Sequence, residues 1–162
     1  MLRALRYIYH IFFLMIRRPP RSTLDRSSAA SDVYKRQTGA RSRELPNLKQ
    51  DGKKVIGYRE AMNLEKQPKS IVVVGSGAIG VEFAYFYHSI GTKVTIVEFM
   101  PNIVPIEDED VSKQLARSFK KSGIEIMLES TVESVDTSGT GCKVKVKSKK
   151  GEEILELSLI HI

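Results

Sequence analysis

The sequence predicts an α/β fold built on a parallel sheet, and three features of residues 71–98 carry this prediction. The apolar run 71–74 leads directly into a glycine-rich turn, Gly75-Ser76-Gly77-Ala78-Ile79-Gly80. An amphipathic segment follows, and a second apolar run then ends on the carboxylate of Glu98. Strand, glycine turn, helix, strand and acid, in this order, form the dinucleotide-binding fingerprint of a Rossmann-type, doubly wound sheet.

Two helices are predicted beside this sheet. The first is expected over residues 77–90, because apolar residues recur there at helical spacing and Gly91 is a typical helix stop. The second is expected from the acidic cluster 107–110, which suits the positive end of a helix, to Gly123. The side chains expected to be buried are Ile79, Phe83, Ala84, Phe86, Tyr87 and Ile90 in the first helix, and Val111, Leu115 and Phe119 in the second.

The remaining elements complete a βαβαβ unit and then change its pattern. A third strand is predicted at 124–128. Short strands at 132–135, 143–147 and 153–155 predict an antiparallel β-meander that follows the parallel sheet. We interpret the alternating lysines of 143–147 as a solvated sheet edge that opposes aggregation. Residues 38–70 have little periodic apolar pattern and many polar residues, so we expect a connection there that contains a short helix at 60–64.

The glycine turn and the acid predict a site for NAD(H). Gly75 permits the tight turn, Gly77 lets the backbone approach a pyrophosphate, and Gly80 lets the helix pack closely on the strand. Glu98 can accept hydrogen bonds from a ribose 2′-OH but would repel a 2′-phosphate. Residues 99–106 contain no Lys or Arg, so NAD(H) is favoured over NADP(H). The alternatives are a glycine turn without a ligand and a solvated acid at a strand end.

The charge of the chain lies mostly at its beginning. The net charge is +7, but eight of the 26 Lys and Arg residues and only two of the 19 Asp and Glu residues lie in 1–37. The rest is nearly neutral and predicts no nucleic-acid partner. Residues 1–37 and 157–162 resemble translated sequencing-adapter DNA, and we expect both to be non-native; a signal or transit peptide is the alternative for the first segment. The apolar run 7–16 is too short to span a membrane, and we expect a cytoplasmic protein.

Other candidate reactive groups are few. A single cysteine, Cys142, excludes an internal disulfide, a CxxC redox pair and a cysteine zinc site within this chain. His88 is expected to lie on a helix surface or to pack against neighbours. The acids of 107–110 could be a metal site, but successive acids on one helical turn cannot converge on one ion. We therefore expect a solvated helix N-terminus and no metal.

Residues 38–156 resemble the NAD-binding domain of the flavoprotein disulfide reductases, and most of all the members that oxidise dihydrolipoamide. The segments that carry the resemblance are Gly75 to Phe83, Gly91, 94–98, Pro105, Asp110 and Lys121-Ser122-Gly123. Thr38-Gly39-Ala40-Arg41, followed by Leu45-Pro46, is similar to the end of an FAD-contacting motif of this family. The resemblance implies that 38–68 connect from an FAD domain and that 69–156 form an incomplete NAD-binding domain.

The resemblance also implies cofactors, partners and roles for particular residues. FAD and NAD would be the cofactors, and the parent protein would be a homodimer that serves 2-oxo acid dehydrogenase or glycine cleavage complexes. Glu82 would lie near the nicotinamide and Glu98 at the adenine ribose. The implied cofactor-binding residues are Thr38 and Gly39 beside the flavin, and Gly75, Ser76, Gly77, Ala78, Ile79, Gly80, Glu82 and Glu98 at the NAD.

The sequence departs from the family in what it lacks. The family's Cys-x4-Cys pair, its His-Glu pair, its first FAD glycine motif and the last strand of its NAD domain are all missing. We therefore expect an internal fragment of an oxidoreductase that is inactive alone, with one sheet edge uncovered. Mercuric or coenzyme A disulfide reductases of the same family, and a non-catalytic NAD-sensing module, remain as alternatives.

Overall fold

The structure is a computed structural model and describes residues 45–149 and 151–162. The adapter-like leader and the proposed flavin contacts Thr38 and Gly39 lie outside the described residues. The elements of the described part are, in chain order, β1 (Val55–Ile56), α1 (Tyr58–Ala61), β2 (Ser70–Val74), α2 (Ala78–Ser89), β3 (Lys93–Val97), α3 (Glu109–Ser122), β4 (Glu125–Met127), β5 (Ser130–Asp136), β6 (Cys142–Ser148), β7 (Gly151–Leu157) and β8 (Leu159–His161).

Five of these strands form a parallel sheet in the order β1-β8-β2-β3-β4. Strand β2 is central, and its residues Ile71, Val72 and Val73 are fully buried, as an uninterrupted apolar run requires in a sheet covered on both faces. Val74 at the end of β2 is in register with Val97 at the end of β3. The loops that follow β2 and β3 therefore start side by side, which brings the glycine turn and Glu98 together. The predicted α/β fold is confirmed.

Helix α2 forms where it is predicted, and four of the six predicted core side chains pack inwards: Ala84 and Tyr87 are buried, and Phe83 and Phe86 are partly buried against the core. The prediction is wrong at the two ends of the stripe, where Ile79 (58%) and Ile90 are exposed, and Val81 is buried without having been predicted. Gly80 sets this orientation, because a Cβ built there would lie 2.2 Å from the carbonyl oxygen of Gly75. The helix can approach the sheet closely only on its glycine side. This close approach turns Ile79 away from the core and towards solvent at the start of the helix.

Helix α3 also differs from its predicted stripe at one end. Phe119 is buried and Leu115 is partly buried, as predicted, but Val111 is 51% exposed. Ser112 is buried in its place and donates its hydroxyl hydrogen to the carbonyl oxygen of Val104 at 3.3 Å. This contact turns the first turn of the helix towards the preceding loop, and Val111 faces outwards. Gly123 ends the helix in the left-handed conformation, with φ of 99°, as the helix-stop pattern predicts.

The meander is an antiparallel sheet in the order β5-β6-β7, so its lysine-rich strand is central. The prediction of a solvated edge of lysines is therefore wrong. Each of these lysines pairs instead with an acid of a neighbouring strand, and Lys145 pairs with acids of both. Lys145 pairs with Glu133 at 3.1 Å and with Glu152 at 2.8 Å. The other pairs are Lys143 with Glu156 at 3.2 Å and Lys147 with Glu133 at 3.4 Å.

The end of the chain and the connection contain strands that are missing from the sequence prediction. We expect residues 157–162 to lie outside the fold and the sheet to lack its last strand, whereas the structure places β8 between β1 and β2. Leu159, Ile160 and His161 are buried there, paired with Ile71, Val72 and Val73. A short apolar segment directly after β7 can cover the free edge of β2. The origin of these residues as non-native sequence stays a prediction.

The connection before β2 is also more ordered than predicted. Strand β1 has two residues, both buried, and the short helix α1 spans Tyr58–Ala61 rather than 60–64. A two-residue strand has no periodicity to detect, which explains why the pattern gives no sign of it. None of the helices in residues 45–149 and 151–162 has the length and apolar character needed to cross a bilayer.

Candidate functional site

Two of the three glycines in the turn, Gly75 and Gly80, are required by the fold itself. Gly75 has φ of 97°, in the left-handed region that favours glycine, and its N–H donates to the carbonyl oxygen of Val97 at 2.9 Å. Gly80 has no room for a side chain against the Gly75 carbonyl. These two glycines let the chain leave β2 sharply and let α2 return onto the sheet.

Gly77 is different, because nothing in the described part of the chain crowds it. It has φ of −65°, it is exposed, and a Cβ built on it would meet no atom within 4 Å. The packing of the protein therefore gives no reason for a glycine here. The missing side chain leaves open space directly in front of the turn, where a ligand could approach the backbone.

Gly77 is also the N-cap of α2, and no side chain caps this end of the helix. The first hydrogen bond at this end runs from the N–H of Val81 to the carbonyl oxygen of Gly77, at 3.0 Å. The N–H groups at the start of a helix have no partner within the helix, and they carry the positive end of its dipole. With Ala78 and Ile79 exposed, this end of α2 is suited to bind a phosphate group.

The carboxylate of Glu98 lies directly behind the turn and is held by three donors. Its Oε2 accepts hydrogen bonds from the Ser76 N–H at 2.7 Å and from the Ser76 hydroxyl at 2.6 Å. Its Oε1 accepts one from the Met100 N–H at 2.8 Å. Glu98 is only 7% exposed, so these bonds compensate for the removal of its charge from water. A carboxylate has about four lone-pair sites, which leaves capacity for a further donor.

The loop after β3 closes on the glycine turn through Val104. Its N–H donates to the carbonyl oxygen of Ser76 at 2.9 Å, and its φ is 41°. Positive φ is rare for a β-branched residue, and such strain persists only where the surroundings hold it. Here Val104 is buried, and its own carbonyl oxygen accepts hydrogen bonds from Glu107 and Ser112.

The loop that follows Glu98 is mostly apolar, and its residues 99–106 include no Lys or Arg. Phe99, Met100 and Ile106 are exposed there. A phosphate on the 2′ position of a ribose at Glu98 would meet a carboxylate and apolar side chains rather than a cation. The site therefore matches a nucleotide whose ribose is unphosphorylated better than one with a 2′-phosphate.

The structure brings most of the sequence-predicted site together. Residues 75–80 and Glu98 form one cluster at the carboxyl ends of β2 and β3. Glu82 lies one turn further along α2 and is exposed. The contacts of Ser76 and Met100 with Glu98 and the backbone of Val104 are missing from the sequence prediction. No pattern of residue types in the sequence predicts these contacts.

The remaining candidates have no contact with this cluster. His88 is partly buried on α2, as expected of a packing residue. Cys142 is buried at the start of β6, with its Sγ 3.9 Å from the carbonyl oxygens of Lys54 and Ser158. Burial raises the pKa of this thiol, which lowers the fraction of reactive thiolate.

The fold and the site together define a dinucleotide-binding domain, and comparison with known proteins gives its family. The chain belongs to the pyridine nucleotide-disulphide oxidoreductases, whose family model matches residues 37–161. It is 48% identical over 109 residues to the dihydrolipoyl dehydrogenase of Chlorobaculum tepidum, and 43% identical over 115 residues to that of Zymomonas mobilis. The family prediction is confirmed.

A solved structure has a similar fold. LpdA from Mycobacterium tuberculosis matches with a TM-score of 0.68 at 32% identity, over 76% of this chain and 26% of that chain. The matches to the two curated relatives cover 67% and 71% of this chain but 23% and 25% of theirs. The chain thus spans about a quarter of the length of the curated relatives that it matches.

Proposed function

We propose that this chain binds NAD(H) as the pyridine-nucleotide domain of a dihydrolipoyl dehydrogenase. The single observation that carries the proposal is the pairing of an open Gly77 with a fixed Glu98. The first leaves room for a pyrophosphate in front of the uncapped start of α2. The second presents a carboxylate at the point where the fold family places an adenine ribose.

In this proposal the residues of the chain bind and orient the cofactor. The N–H groups of the first turn of α2 hold the pyrophosphate, with Gly75 and Gly80 giving the turn its shape. Glu98 accepts hydrogen bonds from the ribose, and the exposed Glu82 lies on the side proposed for the nicotinamide. When bound, NAD+ accepts the hydride in the reaction of the parent enzyme.

We infer NAD(H) rather than NADP(H) from the charges around the ribose position. A 2′-phosphate would lie against the buried carboxylate of Glu98. Residues 99–106 offer it no Lys or Arg. Against NADP(H), Glu98 would lose its hydrogen bonds with the ribose 2′-OH and would also repel the 2′-phosphate. The preference for NAD(H) should therefore depend on Glu98 more than on any other side chain.

The activity of the whole protein is a broader proposal that rests on the relatives. We propose that the parent oxidises dihydrolipoamide through a redox disulfide and FAD, as a homodimer in 2-oxo acid dehydrogenase or glycine cleavage complexes in the cytoplasm. Thr38 and Gly39 would contact the FAD. Dithiol oxidation needs two cysteines and the chain has one, so we propose that the chain alone does not catalyse this reaction.

Binding of NAD+ and NADP+ to the full chain, measured by isothermal titration calorimetry, tests the proposal. We expect NAD+ to bind more tightly than NADP+. Glu98→Ala should weaken NAD+ binding and reduce the preference, because it removes the acceptors and the repulsive charge together. Glu153→Ala, which removes an exposed acid from β7, is the matched control and should change neither value. Equal preference in the unchanged chain and in Glu98→Ala would contradict the role of Glu98.

A further inference from the structure

Ser76 is fully buried within the candidate site, although it lies between two glycines of an exposed turn. All of its polar groups are engaged by the loop that follows β3. Its N–H and its hydroxyl both donate to Oε2 of Glu98, and its carbonyl oxygen accepts from the N–H of Val104. A side chain with no exposed surface cannot contact a ligand that approaches from solvent. Any effect of this hydroxyl on binding must pass through its hydrogen-bond partner.

We propose that Ser76 is a specificity-determining positioning residue, which fixes the Glu98 carboxylate for the ribose without touching the nucleotide. The inference rests on the proposed function, since it concerns how this same site recognises NAD+. It differs from the role that the fingerprint suggests for this position, which is a backbone contact with the cofactor.

The distribution of donors on the carboxylate supports this assignment. Oε2 receives two short hydrogen bonds from one residue, at 2.6 and 2.7 Å. Within the described residues, Oε1 receives only the Met100 N–H, at 2.8 Å. Because Ser76 occupies Oε2, the carboxylate is oriented so that Oε1 keeps the free lone pair. Oε1 is therefore the oxygen that we assign to the ribose hydroxyl.

The hydroxyl and the backbone of Ser76 have separable contributions. Replacement by alanine keeps the N–H donor to Glu98 and the acceptor for Val104, and it removes only the hydroxyl. A buried carboxylate that loses one of three donors is less well compensated and can rotate towards solvent or towards other donors. The side chain keeps its negative charge in either orientation, so repulsion of a 2′-phosphate remains.

This separation gives a specific expectation for affinity. Ser76→Ala should raise the Kd for NAD+ by roughly five- to tenfold. This is part of the strength of one charge-assisted hydrogen bond, because the hydroxyl stabilises the folded turn as well as the carboxylate that binds the ribose. The Kd for NADP+, which gains nothing from the carboxylate, should change by less than about twofold. The preference for NAD+ should therefore fall with the loss of the hydroxyl, while both nucleotides still bind at the same phosphate-binding turn.

The matched control is Ser89→Ala at the far end of α2. The Ser89 hydroxyl also makes one hydrogen bond, to the Tyr85 carbonyl oxygen at 2.7 Å, but it is exposed and remote from Glu98. This variant makes the same chemical change outside the site, so it should leave both Kd values unchanged. Ser76→Cys, which keeps the side-chain size but donates weakly, should shift the NAD+ Kd in the same direction as Ser76→Ala. It keeps the test available if the alanine variant is poorly folded.

A double-mutant cycle on the full chain tests the mechanism. Titration calorimetry would give the Kd of NAD+ and of NADP+ for the unchanged chain, Ser76→Ala, Glu98→Ala and the double variant. If Ser76 acts through Glu98, Ser76→Ala should have no further effect once Glu98 is alanine. An additional loss of NAD+ affinity in the double variant as large as in the single one would overturn the proposal. Equal weakening of NAD+ and NADP+ would show a general structural role and would also overturn it.

A measurement without ligand separates this inference from the proposed function. Ser76→Ala should speed hydrogen exchange of the Met100 amide, because the carboxylate that accepts its hydrogen bond is no longer fixed. Exchange at Met100 should not change in Ser89→Ala. Unchanged protection in Ser76→Ala would overturn the positioning role even if NAD+ binds. Faster exchange in a chain that binds no NAD+ would contradict the proposed function and the role in specificity, and it would support only the positioning of Glu98 by Ser76.

Discussion

Alanine replacements of Gly77 and Gly80 should separate nucleotide binding from folding, because Gly80 is needed for packing of the protein and Gly77 is not. A Cβ at Gly80 would lie 2.2 Å from the Gly75 carbonyl oxygen, against an ordinary separation of about 3.5 Å. The contact is with backbone, which cannot swing aside, so α2 or the turn must move by about 1.3 Å. At Gly77 the added methyl group would meet no described atom within 4 Å.

The expected magnitudes follow from these contacts. Overpacking of a well-packed site costs typically 1–3 kcal/mol, and a backbone clash belongs at about the upper end of that range. The better helix propensity of alanine returns about 1 kcal/mol. Gly80→Ala should therefore lower the free energy of unfolding by about 2 kcal/mol. Gly77→Ala should change it by less than about 0.5 kcal/mol, as a surface substitution without a clash does.

Ligand binding should show the opposite ranking of the two variants. In Gly77→Ala the new methyl group occupies the space assigned to the pyrophosphate, so NAD+ should bind at least about tenfold more weakly. Urea unfolding followed by circular dichroism would give the stabilities, and titration calorimetry the affinities. A Gly77→Ala chain with unchanged stability and unchanged NAD+ affinity would refute the assignment of that space to the cofactor. A stable Gly80→Ala chain would refute the packing argument.

Three further predictions concern the rest of the molecule. Burial lowers the pKa of His161 to about 4 in the folded chain, against about 6.5 in the unfolded chain. As the pH falls from 6.5 to 4, the unfolded chain therefore binds a proton that the folded chain does not. The free energy of unfolding should be at its full value above pH 6.5 and should fall by roughly 3 kcal/mol towards pH 4. Urea titrations at several pH values should show this loss, and His161→Leu should remove most of it. Lys54 Nζ donates to the carbonyl oxygens of Thr137, Gly139 and Gly141, so Lys54→Met should lower the free energy of unfolding by about 1–2 kcal/mol. A change in the urea midpoint smaller than that of an exposed Lys→Met control would contradict this. Cys142 is buried with a raised thiol pKa, so a thiol reagent should label it at the rate of unfolding; fast labelling of the folded chain would show that its site is open.

The part of the fold that the sequence predicts is the part with a repeating physical pattern. The run 71–74, the glycines and the second apolar run have few structural solutions, so β2, α2 and β3 form where they are predicted. Strand β1 is too short to have a period. Strand β8 is missing from the prediction because its residues resemble non-native sequence, whereas an apolar strand beside a free sheet edge pairs regardless of its origin.

In the site, too, the sequence pattern predicts the position of a residue but not its hydrogen bonds. The position of Glu98 follows from its place at the end of an apolar run, and the structure puts it beside the glycine turn. Its hydrogen bonds depend instead on the path of the next loop, which is set by the positive φ of Val104 and by contacts between residues distant in sequence. The exposure of Ile79 likewise follows from the close approach at Gly80. A pattern of apolar spacing does not contain that information.

The most direct test of the central claim is an amide NMR titration of the full, 15N-labelled chain with NAD+. If the glycine turn and Glu98 bind the nucleotide, the amide signals of residues 75–80 and 98–100 should shift with one common Kd. The signals of β6 and β7, in the separate antiparallel sheet, should stay unchanged. Shifts confined to other regions, or no shift at millimolar NAD+, would contradict the account.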